Sequence, residues 1–284
     1  MTSIKDPKKY NVIGTRPVRP DGTDKVTGRA LYGADFDITG LLHGKILRSP
    51  HPHARIKSIN FDEALKIDGV LAVVTSKDLP DNPDGVSSVA YGRGNILAKD
   101  KVLYVGHAVA GVVAIDPHTA EEALEVIKVD YEMLSPSLSV EEAMNDDSEI
   151  IHENAFMKEF GEMTTVNNNI DEHFQHKMGN VLKGFDEADL VVEGKYSTVM
   201  VHQGYIEPQA ATALWKADGS ITVWNSTQGS FPDRDEMSNI LDVPISKIKV
   251  VPLEIGGGFG GKIPIYQEPV AALLSKKTGK PVKI

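Results

Sequence analysis

The chain has 284 residues, of which 41% are hydrophobic, and a formal net charge of −10. This acidic balance excludes nucleic acid as an expected partner, because phosphate binding needs concentrated Lys and Arg. The absence of cysteine excludes disulfides, thiolate-bound zinc and cysteine-ligated iron–sulfur clusters within this chain.

The length favours two domains. No apolar run approaches the length of a membrane span, and the opening MTSIKDPKKY lacks the apolar core of a signal peptide. We therefore expect a cytoplasmic protein with no membrane partner.

The first part of the chain is predicted to form an extended arm, 1–23, and then a mixed α+β unit, 24–134. Period-two and β-branched runs predict strands at 41–47, 55–61, 70–75, 109–115 and 127–131. Helices are predicted at 62–67 and at 117–126, the second capped by Asp116 with Pro117 at its first position. Residues 78–95, rich in Pro, Gly, Asp and Ser, predict a long loop.

An acidic stretch, 135–169, is predicted to be a linker with a short helix at 140–144. The second unit, 170–284, is predicted to contain strands at 189–201, 205–215, 221–225 and 248–255, and helices at 231–241 and 268–277. Ser230 is placed to cap the first of these helices, and Gly279 ends the second.

The most informative stretch is Lys249 to Lys262, K-V-V-P-L-E-I-G-G-G-F-G-G-K, in which five of six consecutive residues are glycine. We call residues 256–261 with the closing Lys262 the glycine loop. Glycines carry a large unfolded-state entropy, but they let backbone N–H groups approach a ligand closely. A glycine-rich surface turn without a ligand is the alternative.

Two nucleotide-binding spacings occur within the glycine loop, G-x-G-x-x-G and G-x-x-x-x-G-K. Both fail on their context. Ile263 stands where the phosphate loop needs Ser or Thr, and Pro264 follows where the dinucleotide fingerprint needs a helix. A nucleotide-binding protein nevertheless stays open as an alternative.

Strand 221–225, helix 231–241 and strand 248–255 are predicted to form one βαβ unit. Its strands run parallel, so their carboxyl ends lie at one edge of the sheet, provided that the two strands are neighbours. The glutamine turn, defined as Thr227–Gln228–Gly229, should then face the glycine loop. Gln228 offers an uncharged amide donor, and the helix amino end adds positive partial charge. The two segments are predicted to hold one anionic or oxygen-rich ligand.

Other candidate residues are less specific. Glu207, in an apolar stretch, could meet a substrate or form a structural ion pair. His51 and His53, with a proline between them, are more typical of a surface loop than of a metal site. His173 and His176 have helical spacing for zinc but no third ligand, so no metal site is predicted.

Five segments together resemble the molybdenum-cofactor subunit of the xanthine dehydrogenase and aldehyde oxidase family. They are D-K-V-T-G-R-A-L-Y-G-A-D (24–35), R-S-P-H-P-H-A-R-I (48–56), the V-G-H-A-V-A-G-V-V-A segment with its downstream T-A-E-E-A (105–123), Y-I-E-P-Q-A-A (205–211) and the stretch 227–262. They follow the family's order along nearly the whole chain. The resemblance implies an α+β fold in which an α/β-hammerhead domain at 24–134 precedes an incomplete first molybdopterin-binding domain at 170–284.

The resemblance also implies roles for individual residues. Gln228 matches the glutamine near the apical oxo ligand of the metal. The residues expected against the cofactor are Gln228, Gly229, Gly257, Gly258, Phe259, Gly260 and Gly261. Glu207 is a candidate on the substrate side. The family's general base is expected beyond residue 284, so no catalytic residue is assigned here and this chain alone is expected to be inactive.

The implied function is a portion or split subunit of a molybdenum hydroxylase, which oxidises a carbon centre of an aldehyde, an N-heterocycle or a related small molecule with water-derived oxygen. The implied cofactor is molybdopterin in its cytosine dinucleotide form, with 2Fe-2S clusters and FAD on partner chains. Expected partners are the remaining part of the molybdenum subunit, an iron–sulfur subunit and an FAD subunit. Ile263 replaces the glutamate of purine-oxidising members, which disfavours a purine substrate. A non-catalytic cofactor-carrier or assembly module of the same fold is a further alternative.

Overall fold

The computed structural model describes residues 10–81, 88–153 and 156–284. The beginning of the predicted arm lies outside these residues. The helices are α1 (Gly22–Thr27), α2 (Ser88–Ile96), α3 (Pro117–Val126), α4 (Val140–Ala143), α5 (Val181–Asp186), α6 (Ser230–Leu241) and α7 (Glu268–Thr278). The strands are β1 (Leu42–Arg48), β2 (Ala54–Asn60), β3 (Val70–Thr75), β4 (Lys101–Val102), β5 (Ala108–Ala114), β6 (Lys128–Met133), β7 (Lys158–Glu159), β8 (Glu162–Met163), β9 (Glu172–His173), β10 (Ala211–Trp215), β11 (Ile221–Asn225), β12 (Ile248–Pro252) and β13 (Val282–Lys283).

The strands predicted in the first unit are confirmed to within a few residues as β1, β2, β3, β5 and β6. Helix α3 is confirmed with its cap, because Asp116 accepts hydrogen bonds from the backbone N–H groups of His118 and Thr119, each at 2.9 Å. The helix predicted at 62–67 is shorter and is a 3-10 turn, Ala64–Lys66.

The prediction of one long loop at 78–95 is wrong, although part of that range, 82–87, lies outside the described residues. Helix α2 begins at Ser88 and packs against the C-terminal end of α6. The buried guanidinium of Arg93 donates to the carbonyl oxygens of Ile240 at 2.9 Å and Asn239 at 3.0 Å. These contacts with a distant helix stabilise a short segment whose own helix propensity is low.

The strand predicted at 189–201 is also wrong as a paired element. Within the described part of the chain these residues have no strand partner, and regular pairing begins only at β10. Large apolar side chains along this stretch are exposed, among them Leu190 at 79%, Tyr196 at 93% and Met200 at 101%. We call residues 189–201 the exposed segment.

One seven-stranded sheet, ordered β12-β11-β10-β13-β1-β5-β3, joins the two predicted units. The junction is the parallel pair β1–β13, in which Leu42 faces Val282, while β13 also pairs antiparallel with β10. Helix α7 is buried along most of its length and packs on β10 and β3. The two predicted units therefore share a hydrophobic core, and the domain boundaries stay a prediction.

The predicted βαβ unit is confirmed. Strands β11 and β12 are parallel neighbours, in register from Ile221 opposite Ile248 to Asn225 opposite Pro252. Helix α6 connects them and packs on β12. The segments that leave both strands therefore start at the same edge of the sheet.

A membrane-crossing helix is not found among the described residues, since none is both long and apolar enough.

Candidate ligand-binding site at the glycine loop

The glutamine turn and the glycine loop are in direct contact. The side-chain oxygen of Gln228, Oε1, accepts hydrogen bonds from the backbone N–H groups of Gly260 at 3.0 Å and Lys262 at 3.2 Å. The backbone N–H of Gln228 donates in turn to the carbonyl oxygen of Lys262 at 2.9 Å. The predicted meeting of the two segments is therefore confirmed.

This contact fixes the orientation of the Gln228 amide. Because Oε1 accepts both loop N–H groups, the amide nitrogen Nε2 takes part in neither bond and stays available as a donor. Gln228 is exposed, and no acceptor for Nε2 exists among residues 10–81, 88–153 and 156–284. The site thus presents an oriented, uncharged donor to solvent.

The middle of the glycine loop presents further donors. Within the described chain, the backbone N–H groups of Gly257, Gly258 and Phe259 have no protein acceptor. Phe259 is 73% exposed and has a φ of 50°, in the left-handed region that residues with a side chain seldom adopt. Gly260, which follows it, and Gly257, two residues before it, also have positive φ, of 92° and 98°. Left-handed residues within such a loop can bring successive N–H groups together around an anion, as in backbone nests.

The protein's own side chains explain three of the other glycines. A Cβ on Gly256 would lie 2.6 Å from Cβ of Glu207, and one on Gly258 would lie 2.5 Å from Oε1 of Gln228. A Cβ on Gly261 would lie 2.7 Å from the Tyr205 ring. The glycine content therefore serves packing beneath the loop as well as close approach from outside.

Glu207 lies beneath the loop. Its Oε2 accepts a hydrogen bond from the backbone N–H of Gly256 at 2.6 Å and from the ammonium of Lys262 at 2.6 Å. The Lys262 side chain is 1% exposed and that of Glu207 is 12% exposed. The ion pair that the sequence left as an alternative for Glu207 is therefore present, and its substrate-side role stays a prediction.

The sequence assigned no role to Gln209. Its Nε2 donates to the carbonyl oxygen of Gly261 at 2.9 Å and to the Tyr205 hydroxyl at 3.3 Å. The available signal was its position two residues after Glu207, on the stretch that passes under the glycine loop. Its side chain therefore holds the end of the glycine loop at Gly261.

The prediction that Ser230 caps α6 is wrong. The N-cap is Gly229, one residue earlier, and no side chain caps the helix. The backbone N–H of Gly229 donates to Oγ1 of Thr227 at 2.9 Å, which closes the glutamine turn. The uncapped amino end of this 12-residue helix contributes positive partial charge beside Gln228.

A buried polar cluster lies where β11 ends, next to the glutamine turn. The amide nitrogen of Asn225 donates to Oδ2 of Asp233 at 2.8 Å and to Oε1 of Glu268 at 3.0 Å. All three residues are buried. Burial raises the pKa of Asp233 above its usual 3.8 and that of Glu268 above its usual 4.5.

We expect folding stability to depend on pH through this cluster. Because both carboxyls hold a proton more tightly in the folded chain, their contribution is fully present below the usual values and is lost as the pH rises through the folded-state pKa. The free energy of unfolding should therefore fall as the pH rises from the usual carboxyl pKa values toward the raised folded-state values, at about 1.4 kcal/mol per unit of pKa elevation. In Glu268→Gln the amide oxygen can still accept from Asn225, and the slope should be shallower.

Urea unfolding across that pH range measures the slope. Glu125→Gln, which removes an exposed carboxyl on α3, is the control and should keep the original slope. Equal slopes for Glu268→Gln and the unmodified chain would contradict the assignment.

The histidine candidates are not assembled into a metal site. His53 is buried, with Nδ1 bonded to the carbonyl oxygen of Ser135 at 2.8 Å, and His173 lies 3.5 Å from a carboxylate oxygen of Glu159. No group of three His, Cys, Asp or Glu side chains suited to a metal ion occurs in the ranges that the structure covers.

Comparisons with known proteins give consistent matches. Residues 27–135 match the family model described as "Aldehyde oxidase and xanthine dehydrogenase, a/b hammerhead domain", and residues 162–284 match "Molybdopterin cofactor-binding domain". The chain is 34% identical over 276 residues to the "Xanthine dehydrogenase molybdenum-binding subunit" of Escherichia coli O157:H7, which covers 94% of this chain and 35% of that protein. It is 35% identical to the "Nicotinate dehydrogenase large molybdopterin subunit" of Eubacterium barkeri, covering 98% of this chain and 62% of that protein.

The fold is similar to that of a solved structure titled "Reconstituted CO dehydrogenase from Oligotropha carboxidovorans". The TM-score is 0.80 at 31% sequence identity, over 95% of this chain and 34% of the other. The chain therefore spans less than two thirds of the length of each of these similar proteins.

Proposed function

Because the chain belongs to the xanthine dehydrogenase and aldehyde oxidase family, as a part of its molybdopterin-binding subunit, we propose that it holds a molybdenum cofactor at the glycine loop. The complete enzyme would oxidise a carbon centre of an aldehyde, an N-heterocycle or a related small molecule with oxygen derived from water. When bound, the cofactor would supply the redox chemistry, while this chain supplies binding and orientation.

The observation that supports this proposal most is the set of free donors. The Nε2 of Gln228 and the backbone N–H groups of Gly257, Gly258 and Phe259 have no acceptor among the described residues, and Gln228 lies just before the amino end of α6. Such an array fits an anionic, oxygen-rich group, because every group it presents donates a hydrogen bond and none adds a negative charge. Gln228, Gly229 and the loop residues 257–261 would hold the cofactor, and the exposed Phe259 ring would shield one side of it.

The nucleotide-binding alternative depends on Lys262 being available to a phosphate. A phosphate-loop lysine must reach the phosphates of its ligand. The Lys262 side chain is 1% exposed, and its ammonium is bonded to Glu207 at 2.6 Å beneath the loop. The glycine loop therefore lacks the charged contact that gives such loops their affinity for nucleotides.

The partners belong to the same proposal. Several similar proteins are named as subunits or chains of larger enzymes. Because this chain has no cysteine, the 2Fe-2S clusters would lie on an iron–sulfur partner, and FAD on another. The cytosine dinucleotide form of the cofactor and a cytoplasmic location complete the proposal.

The exposed segment supports a direct polypeptide partner. Its side chains Val192, Tyr196 and Met200 are each more than four-fifths exposed, although β-branched and aromatic residues favour a paired strand. We propose that the remaining part of the molybdenum subunit pairs with this segment. Burying these side chains would supply a large apolar contribution to the association.

Metal analysis of the complex isolated from its source tests the proposal. We expect molybdenum and pterin in amounts close to one per chain, together with iron from the partner. Molybdenum without iron or turnover would instead support a carrier or assembly module, and the absence of molybdenum would contradict both. Tight, magnesium-dependent nucleotide binding would restore the nucleotide alternative.

The chain purified alone should show no hydroxylase activity toward aldehydes or N-heterocycles. The physical reason is that the carboxylate in contact with the loop, Glu207, is already bonded to Lys262 and Gly256 and is not free to act as a base. Steady turnover by the chain alone, in an assay that the isolated complex passes, would contradict this expectation.

A further inference from the structure

The glycine loop is held at both ends by one carboxylate. Oε2 of Glu207 bonds to the backbone N–H of Gly256, where the loop begins, and to the ammonium of Lys262, where it closes. The backbone N–H of Glu207 also donates to the carbonyl oxygen of Gly256 at 3.4 Å. Only a glycine at 256 permits this approach, since a Cβ there would lie 2.6 Å from Cβ of Glu207.

The same carboxylate reaches the other predicted unit. Its Oε1 accepts a hydrogen bond from the backbone N–H of Gly33 at 3.4 Å. The neighbouring residue Tyr32 forms a parallel bridge with Glu254, and Lys25 pairs with that glutamate at 2.8 Å. The segment 25–33 therefore lies along the strand end that leads into the glycine loop.

The charge of Glu207 is needed because Lys262 is inaccessible to water. An ammonium whose side chain is 1% exposed needs a close anionic partner, and removal of one member of a buried pair leaves the other uncompensated. The Tyr205 ring, 5.1 Å from the ammonium, adds a weaker cation–π contact.

We propose that Glu207 is a positioning residue, which sets the glycine loop in its ligand-receiving shape by neutralising Lys262 and holding Gly256. Gln228 fixes the later part of the loop through Gly260 and Lys262, so the two side chains leave only the middle of the loop free to donate outward. That the loop receives a cofactor rests on the function proposed above. That Glu207 holds the loop in one conformation does not.

Two measurements test whether Glu207 holds the loop. They are amide hydrogen exchange across 256–263 and the rate at which Lys262 is reductively methylated. In the unmodified chain we expect Lys262 to react at least about tenfold more slowly than the exposed Lys177. In Glu207→Gln, Lys262 should approach the rate of Lys177 and loop exchange should accelerate about tenfold or more. The control Glu125→Gln, at an exposed position, should change neither.

A second variant separates positioning from general damage to the fold. In Glu207→Gln with Lys262→Met, the uncompensated ammonium is gone and the glutamine oxygen can still accept from Gly256. Loop exchange should therefore return toward that of the unmodified chain. Full reactivity of Lys262 in the unmodified chain, or loop exchange unaltered by Glu207→Gln, would overturn the proposal, as would a double variant no better protected than Glu207→Gln.

The metal content of the isolated complex distinguishes this inference from the proposed function. If the complex of the unmodified protein contains no molybdenum but the loop changes occur as expected, Glu207 still positions the loop and the proposed cofactor is ruled out. A molybdenum-bearing complex whose metal content is unaffected by a loosened loop in Glu207→Gln would preserve the cofactor and overturn the positioning role.

Discussion

Gln228→Glu should deprive the isolated complex of most of its molybdenum while leaving the chain folded. The new carboxylate can still accept hydrogen bonds from Gly260 and Lys262, so the loop stays anchored. Its second oxygen, however, replaces the outward Nε2 donor with a negative charge that faces an anionic group. Removal of one donor to a charge that develops in a transition state typically lowers kcat about 10²- to 10³-fold, and we expect the rate of substrate oxidation to fall by at least that factor.

The molybdenum and pterin content per chain measures the loss of cofactor. The rate of substrate oxidation, with a substrate identified for the complex, is the second measurement. Gln175→Glu makes the same change of charge at an exposed position of the second unit and is the matched control. Full molybdenum content in Gln228→Glu, at the level of Gln175→Glu, would show that this amide does not face the cofactor.

Gly258→Ala should have the second-largest effect, by displacing the Gln228 side chain. A Cβ at this position would lie 2.5 Å from Oε1 and 2.7 Å from Cδ of Gln228, too close for either group to remain in place. The Gln228 side chain would have to move, so the two hydrogen bonds that its Oε1 accepts from Gly260 and Lys262 would be lost. By analogy with supports of metal sites, we expect molybdenum retention to fall about 10- to 100-fold.

Gly184→Ala is the control for this substitution. Gly184 lies in α5, and a Cβ there would meet no atom within 4 Å. It should leave molybdenum content unchanged and stabilise the helix slightly. The idea that Gly258 is required for the contact with Gln228 fails if Gly258→Ala and Gly184→Ala retain equal amounts of metal.

The sequence predicted those parts of the site that depend on local signals and chain topology. A strand, a helix and a second strand at short spacing predicted the β11–α6–β12 crossover, and parallel pairing then brought Gln228 to the glycine loop. The N-cap Asp116 predicted the start of α3, and Gly279 predicted the end of α7. Each of these features is encoded within about ten to twenty residues of chain.

The parts that escaped prediction depend on contacts between distant residues. Glu207 and Lys262 are 55 positions apart, and nothing in either local pattern names the other as its partner. Helix α2 is stabilised by packing on α6 rather than by its own composition. The stretch 189–201 has strong strand propensity, but such propensity expresses packing against neighbours, and the described chain offers none.

A crystal structure of the isolated complex, with anomalous scattering at the molybdenum edge, tests the central claim most directly. We predict the metal and its pterin on the face formed by Gln228 and the middle of the glycine loop, with Glu207 still bonded to Lys262 beneath it. Molybdenum bound at another edge of the sheet, with the glycine loop in contact only with protein or solvent, would contradict the account.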